Sequence, residues 1–95
     1  MNISSNAEIA MRNLSRQDSI RIKEFLEKLS KDESSVLNKS HFLKKVSNKK
    51  LFIGRPTQRL RIIYSLYQGE VEILEILTHD RANLFLSKYY TGGKS

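Results

Sequence analysis

The chain contains no cysteine, so no disulfide can staple it and no thiolate is offered to a metal. Its two histidines, His41 and His79, stand far apart and cannot form a structural zinc site by themselves, so neither a metal nor a cofactor is expected. No run approaches the roughly 18 apolar residues that cross a bilayer, and no basic segment at the N-terminus leads into an apolar block. The expectation is a cytoplasmic protein without membrane contact. GxxxxGK[ST], HExxH and GxSxG are also missing, which leaves nucleotide hydrolysis, zinc proteolysis and serine-hydrolase chemistry without support. There is no internal repeat and no low-complexity linker.

The most informative absence is of one sign of charge. No Asp or Glu occurs between Ser34 and Gly69, whereas Lys39, Lys44, Lys45, Lys49, Lys50, Arg55, Arg59 and Arg61 all do. They dominate a formal net charge of +7. A polyanion such as RNA gains from such a stretch by releasing condensed counterions, and the same field speeds encounter with an acidic partner. A solvated basic surface that serves only solubility would read the same way in composition.

What is present fits one folded domain spanning 1–95. A chain of 95 residues buries about 60 to 65% of the surface its unfolded state exposes and has no second core to divide off. Met1 to Ile3 reads as a short strand. Ala7, Ala10, Met11 and Leu14 recur at helical spacing, which predicts a helix over 5–13. Ser15 offers an N-cap oxygen with Asp18 three residues on, and Ile22, Phe25, Leu26 and Leu29 form an i, i+3, i+4, i+7 stripe, predicting a second helix over 16–30. The short link between them suggests a helical hairpin.

Lys31 to Ser40 reads as polar and irregular; Phe42, Leu43 and Val46 suit either a turn of helix or a strand edge. From Leu51 the period changes. Leu51 to Arg55 is a strand stopped by Pro56, Arg59 to Tyr67 a second, Gln68-Gly69 a hairpin turn and Val71 to Leu77 a third. Asp80 is placed to cap a short last helix through Leu84, Phe85 and Tyr89, with 91–95 a loose tail. The expected class is α+β: an N-terminal helical hairpin packed on a small antiparallel β-sheet, then a short C-terminal helix.

Strand alternation places Arg59, Arg61, Ile63 and Ser65 on one face and Leu60, Ile62, Tyr64 and Leu66 on the other. On the same logic His79 and Arg81 share the parity of Val71 and Ile73 and emerge together at a strand end. Phe25, Phe42 and Tyr64 fall on apolar stripes and read as core, while Tyr67 and Tyr89 are freer to stack on a base.

The run Leu51-Phe52-Ile53-Gly54-Arg55, Leu60-Arg61-Ile62-Ile63-Tyr64, Val71 to Leu77 and Asp80-Arg81, preceded by two helices, resembles the RelE/ParE toxin superfamily over roughly Ile3 to Tyr90, with a RelE-like member favoured. That resemblance implies a type II toxin held inactive by a cognate antitoxin in a heteromeric complex. In RelE-like members it implies a ribosome-dependent messenger-RNA endoribonuclease, or mRNA interferase, that inhibits translation. Such cleavage needs no metal: the ribose 2′-hydroxyl attacks the adjacent phosphate while cationic groups stabilise the phosphoryl oxygens.

By motif position the resemblance makes Arg61 the strand arginine that meets the phosphate and Arg81 the arginine after the last strand. Lys49 and Lys50 lie where RelE-like enzymes carry lysines that polarise the 2′-hydroxyl. Lys44, Lys45, Arg55 and Arg59 are expected to hold the RNA backbone. Phe85 stands where some members carry a tyrosine, so the proton transfer falls to His79, Tyr89 or Tyr90. That departure keeps two other readings open: a ParE-like inhibitor of DNA gyrase, which needs no nuclease residues, and a catalytically inactive RNA-binding module.

Overall fold

Ser4 decides how the chain starts. A computed structural model describes residues 1–89, the side chain of Tyr89 excepted; the expected tail and Tyr90 lie outside them. β1 (Asn2–Ile3) runs parallel to β5 (Glu70–Thr78), and the Ser4 amide continues the ladder to the Ile73 carbonyl at 2.9 Å. The Ser4 hydroxyl donates to Leu74 O at 2.7 Å and accepts from Ala7 N at 3.1 Å, so one side chain caps α1 (Ser5–Arg12) and fastens it to the sheet.

This placement corrects the expected hairpin. α1 lies along β5, and α2 (Arg16–Lys31) packs instead with α3 (Glu33–Lys39). The pairing of β1 with β5 pins α1 to the sheet before α2 begins. The cap on α2 is the expected one, with Ser15 Oγ accepting from Asp18 N at 3.1 Å. α3 replaces the irregular stretch expected over 31–40: its seven residues are too short to show a period, yet Val36 is buried in the core.

β2 (His41–Val46) settles the open alternative as an edge strand, joined to β3 (Lys49–Gly54) by a turn whose Ser47 and Asn48 have φ of 47° and 73°. Two consecutive positive φ values mark the tight hairpin turn that matches strand twist, a conformation asparagine tolerates better than most residues. β4 (Leu60–Tyr67) and β5 are joined by the expected turn, with Gln68 at 50° and Gly69 at 79°. The sheet has five strands in the order β1-β5-β4-β3-β2, mixed rather than purely antiparallel because β1 runs parallel. α4 (His79–Tyr89) packs back on β4 and β5. The class is α+β with four helices among the described residues.

The main core joins Ala7, Ile22, Leu29 and Val36 of the helices to Leu60, Ile62, Tyr64, Val71, Ile73 and Ile76 of the sheet. Ile73 and Ile76 are three apart and both enter it because the ladder skips Leu74, with Tyr64 opposite Ile73 and Ile63 opposite Glu75. The bulge breaks the simple alternation on which His79 and Arg81 were expected to share a parity with Val71 and Ile73. Leu51, Ile63 and Ala82 are buried apart from this cluster, so both faces of the central strand β4 are covered.

Aromatic side chains cross the core. Phe52 stacks on Tyr64 at 5.6 Å, and Phe25 and Phe42 meet this pair edge-on. Phe42 nonetheless sits on the edge strand and is half exposed, not the core residue expected. Gly54 stands under Phe25: a Cβ there would overlap the ring edge and meet Ser40 Oγ at 3.4 Å. Gly54→Ala is therefore expected to destabilise the protein by about 1 to 3 kcal/mol through overpacking, read as a lower urea midpoint. An unchanged midpoint would mean that the Phe25 ring is free to swing aside.

Candidate functional site: an arginine cleft

The segment 55–59 between β3 and β4 is built around two side chains. Thr57 Oγ1 accepts from the amides of Arg59 at 3.2 Å and Leu60 at 3.0 Å, the local bonding by which a threonine shapes a turn. From below, Arg61 Nη1 donates to the carbonyls of Thr57 at 3.1 Å, Gln58 at 3.0 Å and Leu60 at 2.8 Å. The His79 amide then donates to Arg59 O at 2.7 Å, joining this loop to the start of α4.

Between loop and helix lies a cleft of about 480 Å³ lined by Arg55, Gln58, Arg59, Arg61, Thr78, His79 and Asp80. Arg61 is buried at its floor with 9% of its surface exposed. Burial pulls the Arg61 guanidinium pKa below its ordinary value, and the charge of Arg55 adds to this. A crowded, partly desolvated set of cations of this kind is relieved by an anion, and guanidinium groups match the oxygens of a phosphate.

The arginines do not share one strand face as alternation suggested. Arg59 precedes β4 and pairs with Asp18 of α2, whereas Arg61 turns under the loop; they meet again only at the cleft. Asp18 had been legible as a first-turn acid, but not as the partner of a residue 41 positions away. His79 is half exposed with its Nδ1 3.4 Å from Asp80 Oδ1. Asp80 is not the expected cap: α4 begins at His79, and Thr78 Oγ1 accepts from Arg81 N at 3.3 Å.

Other sequence candidates stand elsewhere. Arg81 is exposed and lines neighbouring grooves with Glu75 and Leu77 rather than the cleft. Lys44, Lys45, Lys49 and Lys50 flank the β2–β3 turn. Lys50 pairs with Leu66, five residues along β4 from Arg61, a separation of about 17 Å at strand rise. Phe85 is half buried on α4, and the side chain of Tyr89 lies outside the described residues. Thr57, Gln58 and Thr78 were not among the expected site residues; Thr57 and Gln58, which follow Pro56, were read only as a turn.

No protein-family model and no curated protein sequence matches this chain. Among solved structures, the archaeal RelE-RelB complex from Pyrococcus horikoshii OT3 contains a chain that superposes with a TM-score of 0.70 at 20% identity, covering 84% of this chain and 93% of that one. The fold is that of RelE. Within this RelE fold the arginine cleft is formed by the β3–β4 loop and the β5–α4 junction. No helix of this RelE-like structure is long and apolar enough, among the described residues, to cross a membrane.

Proposed function

We infer that this protein is the toxin of a type II toxin-antitoxin pair and acts in the cytoplasm as a ribosome-dependent messenger-RNA endoribonuclease. The observation that carries the reading is the convergence of Arg55, Arg59, Arg61 and His79 on one cleft in a RelE fold. A messenger phosphate bound there meets Arg61 at the floor and Arg55 and Arg59 at the rim. The 2′-hydroxyl of the preceding ribose attacks the phosphorus, and negative charge grows on oxygens already facing guanidinium groups. His79 is the cleft's titratable side chain suited to receive the hydroxyl proton or supply one to the leaving 5′-oxygen. Lys49 and Lys50 have no part in this step, and Arg81 acts at most from the far side of the first turn of α4.

The partner is a cognate antitoxin, by analogy with the RelE-RelB complex, whose acidic and apolar side chains would cover the basic surface. Arg81 outside the cleft and Phe85 without a hydroxyl specifically favour the second reading, a ParE-like gyrase inhibitor.

Expression of the wild type is expected to arrest growth, relieved by co-expression of an acidic partner. Purified protein is expected to cut a defined messenger on programmed ribosomes with EDTA present. Inhibited gyrase with intact messenger would transfer the case to the second reading, and intact messenger with unaffected gyrase would leave an inactive binding module.

A further inference from the structure

Arg59 lines the arginine cleft but is held from outside it. Its amide donates to Thr57 Oγ1 at 3.2 Å and its carbonyl accepts from the His79 amide at 2.7 Å, so the backbone is fixed on both sides. The guanidinium is fixed as well, by the carboxylate of Asp18 on α2, which is not part of the cleft's lining. The two partners differ in exposure: the Asp18 side chain is 13% exposed and that of Arg59 63%. A nearly buried acid thus holds a cation most of which stays open to solvent. Asp18 is itself anchored in the first turn of α2, where its amide donates to the cap Ser15 Oγ at 3.1 Å and the positive end of the helix favours a carboxylate.

Such an acid is out of place on a surface that only has to attract RNA. No acidic residue occurs between Ser34 and Gly69, and Asp80, which does line the cleft, has its side chain 96% exposed. Asp18 instead stands in a hollow of about 420 Å³ between α2 and segment 55–59, and Gln58 and Arg59 line both this hollow and the cleft. A carboxylate this near to a phosphate site weakens the field that draws a polyanion in. What Asp18 supplies instead is orientation. The long Arg59 side chain, repelled by the like charges of Arg55 and Arg61, would otherwise turn away into solvent. Tied to Asp18 through one terminal nitrogen, its guanidinium still has further N–H groups to offer a phosphate oxygen.

We propose that Asp18 is a positioning residue for messenger cleavage, holding the Arg59 guanidinium at the cleft rim so that charge developing on the phosphoryl oxygens meets a cation already in place. This rests on the RNA-cleaving reading above. Asp18 touches no substrate and acts through Arg59.

The test measures single-turnover cleavage of a defined messenger over a range of programmed-ribosome concentrations, each protein being assayed below its melting transition. Wild type is compared with Asp18→Ala, Asp18→Asn, Arg59→Ala and the double variant of Asp18→Ala with Arg59→Ala. Asp18→Ala is expected to cut about 10- to 100-fold more slowly at saturation, the loss that follows a small misplacement of a contact to the reacting centre. The half-saturating concentration should stay equal or fall, because an acid has been removed. Asp18→Asn should recover part of the rate, since an amide oxygen still accepts a hydrogen bond but without charge assistance. Glu27→Ala, which removes the same charge from an exposed position further along α2, should cut as wild type does. In the Arg59→Ala background Asp18→Ala should add less than about a twofold loss. A wild-type rate in Asp18→Ala would overturn the proposal. So would an equal loss in both backgrounds, which would make Asp18 a support of the fold, or a loss that saturating ribosomes abolish, which would make it a binding residue. A matching loss in Glu27→Ala would reduce the effect to net charge and overturn it too. A wild type that leaves the messenger intact fails the cleavage reading and takes this role with it, whereas an active wild type with an indifferent Asp18→Ala fails this role alone.

Discussion

Arg61→Ala is expected to slow messenger cleavage by about 10² to 10³, the loss typical of removing one preorganised charge contact from a developing oxyanion. The geometry makes this variant more than a charge deletion. Three carbonyls, two in the loop and that of Leu60 at the start of β4, receive hydrogen bonds from one Arg61 nitrogen, so alanine leaves them without that donor and loosens the cleft wall carrying Arg59. Hydrogen bonds to charged groups contribute about 1.5 to 3 kcal/mol, so stability falls as well as rate. Arg61→Lys retains the charge but not the planar guanidinium that matches the oxygens of a phosphate, and only part of the rate should return. Thermal melts of each variant define a temperature at which all are folded, and single-turnover cleavage on saturating programmed ribosomes is then compared there. Equal rates for wild type and Arg61→Ala would remove the cleft from the mechanism. A full return of rate in Arg61→Lys would show that charge alone, without loop anchoring, is what the site requires.

Arg61 also shows how far residue order alone can be followed. Its place on a strand was legible from the β-branched run around it, and the resemblance to RelE/ParE toxins marked it for phosphate contact. What order does not disclose is that the side chain turns back under its own loop, because three carbonyls become its partners only once segment 55–59 is folded. The same limit applies to Arg59, where alternation fails since the residue lies just before the strand and its acid comes from a helix 41 positions earlier. Arg81 was misplaced for a different reason. The skip at Leu74 resets the parity of β5, and the strand ends at Thr78, so a helix rather than a strand end carries the side chain away from the cleft.

Periodicity succeeded where an element was long and faced one environment. The α2 stripe of Ile22, Phe25, Leu26 and Leu29 is the face that enters the core, with Ile22 and Leu29 fully buried. It failed at α3, whose two turns hold one buried residue, and at the helical hairpin, where apolar stripes on α1 and α2 were matched to each other although α1 lies along β5 and α2 packs with α3. Stripes identify what is buried without naming the partner, and a two-residue strand at the N-terminus decided it.

Tyr64→Ala is expected to lower stability by about 3 to 5 kcal/mol, the range for truncating a buried aromatic side chain. Tyr64 is fully buried at the centre of β4, stacked on Phe52 and touched edge-on by Phe25. Its hydroxyl donates to Ser40 Oγ at 2.5 Å, and Ser40 in turn donates to Val36 O at 2.8 Å, so the end of α3 is tied to the middle of the sheet. Burial raises the Tyr64 pKa above its ordinary value, the Ser40 bond opposes this and the charge of Glu33 adds to the rise. The phenol is therefore the neutral donor throughout the physiological range, and no pH dependence of folding arises from it there. Tyr64→Phe keeps the ring contacts and removes the donor, a loss of about 1 kcal/mol. For a domain of this size 3 to 5 kcal/mol corresponds to a melting temperature lower by about 12 °C or more. Thermal and urea melts of both variants separate ring from hydroxyl: a large drop for Tyr64→Ala with a small one for Tyr64→Phe places the stability in packing. Equal large drops would place it in the bond to Ser40, and no drop in either would mean that the aromatic chain through Phe25, Tyr64 and Phe52 is not what joins the helices to the sheet.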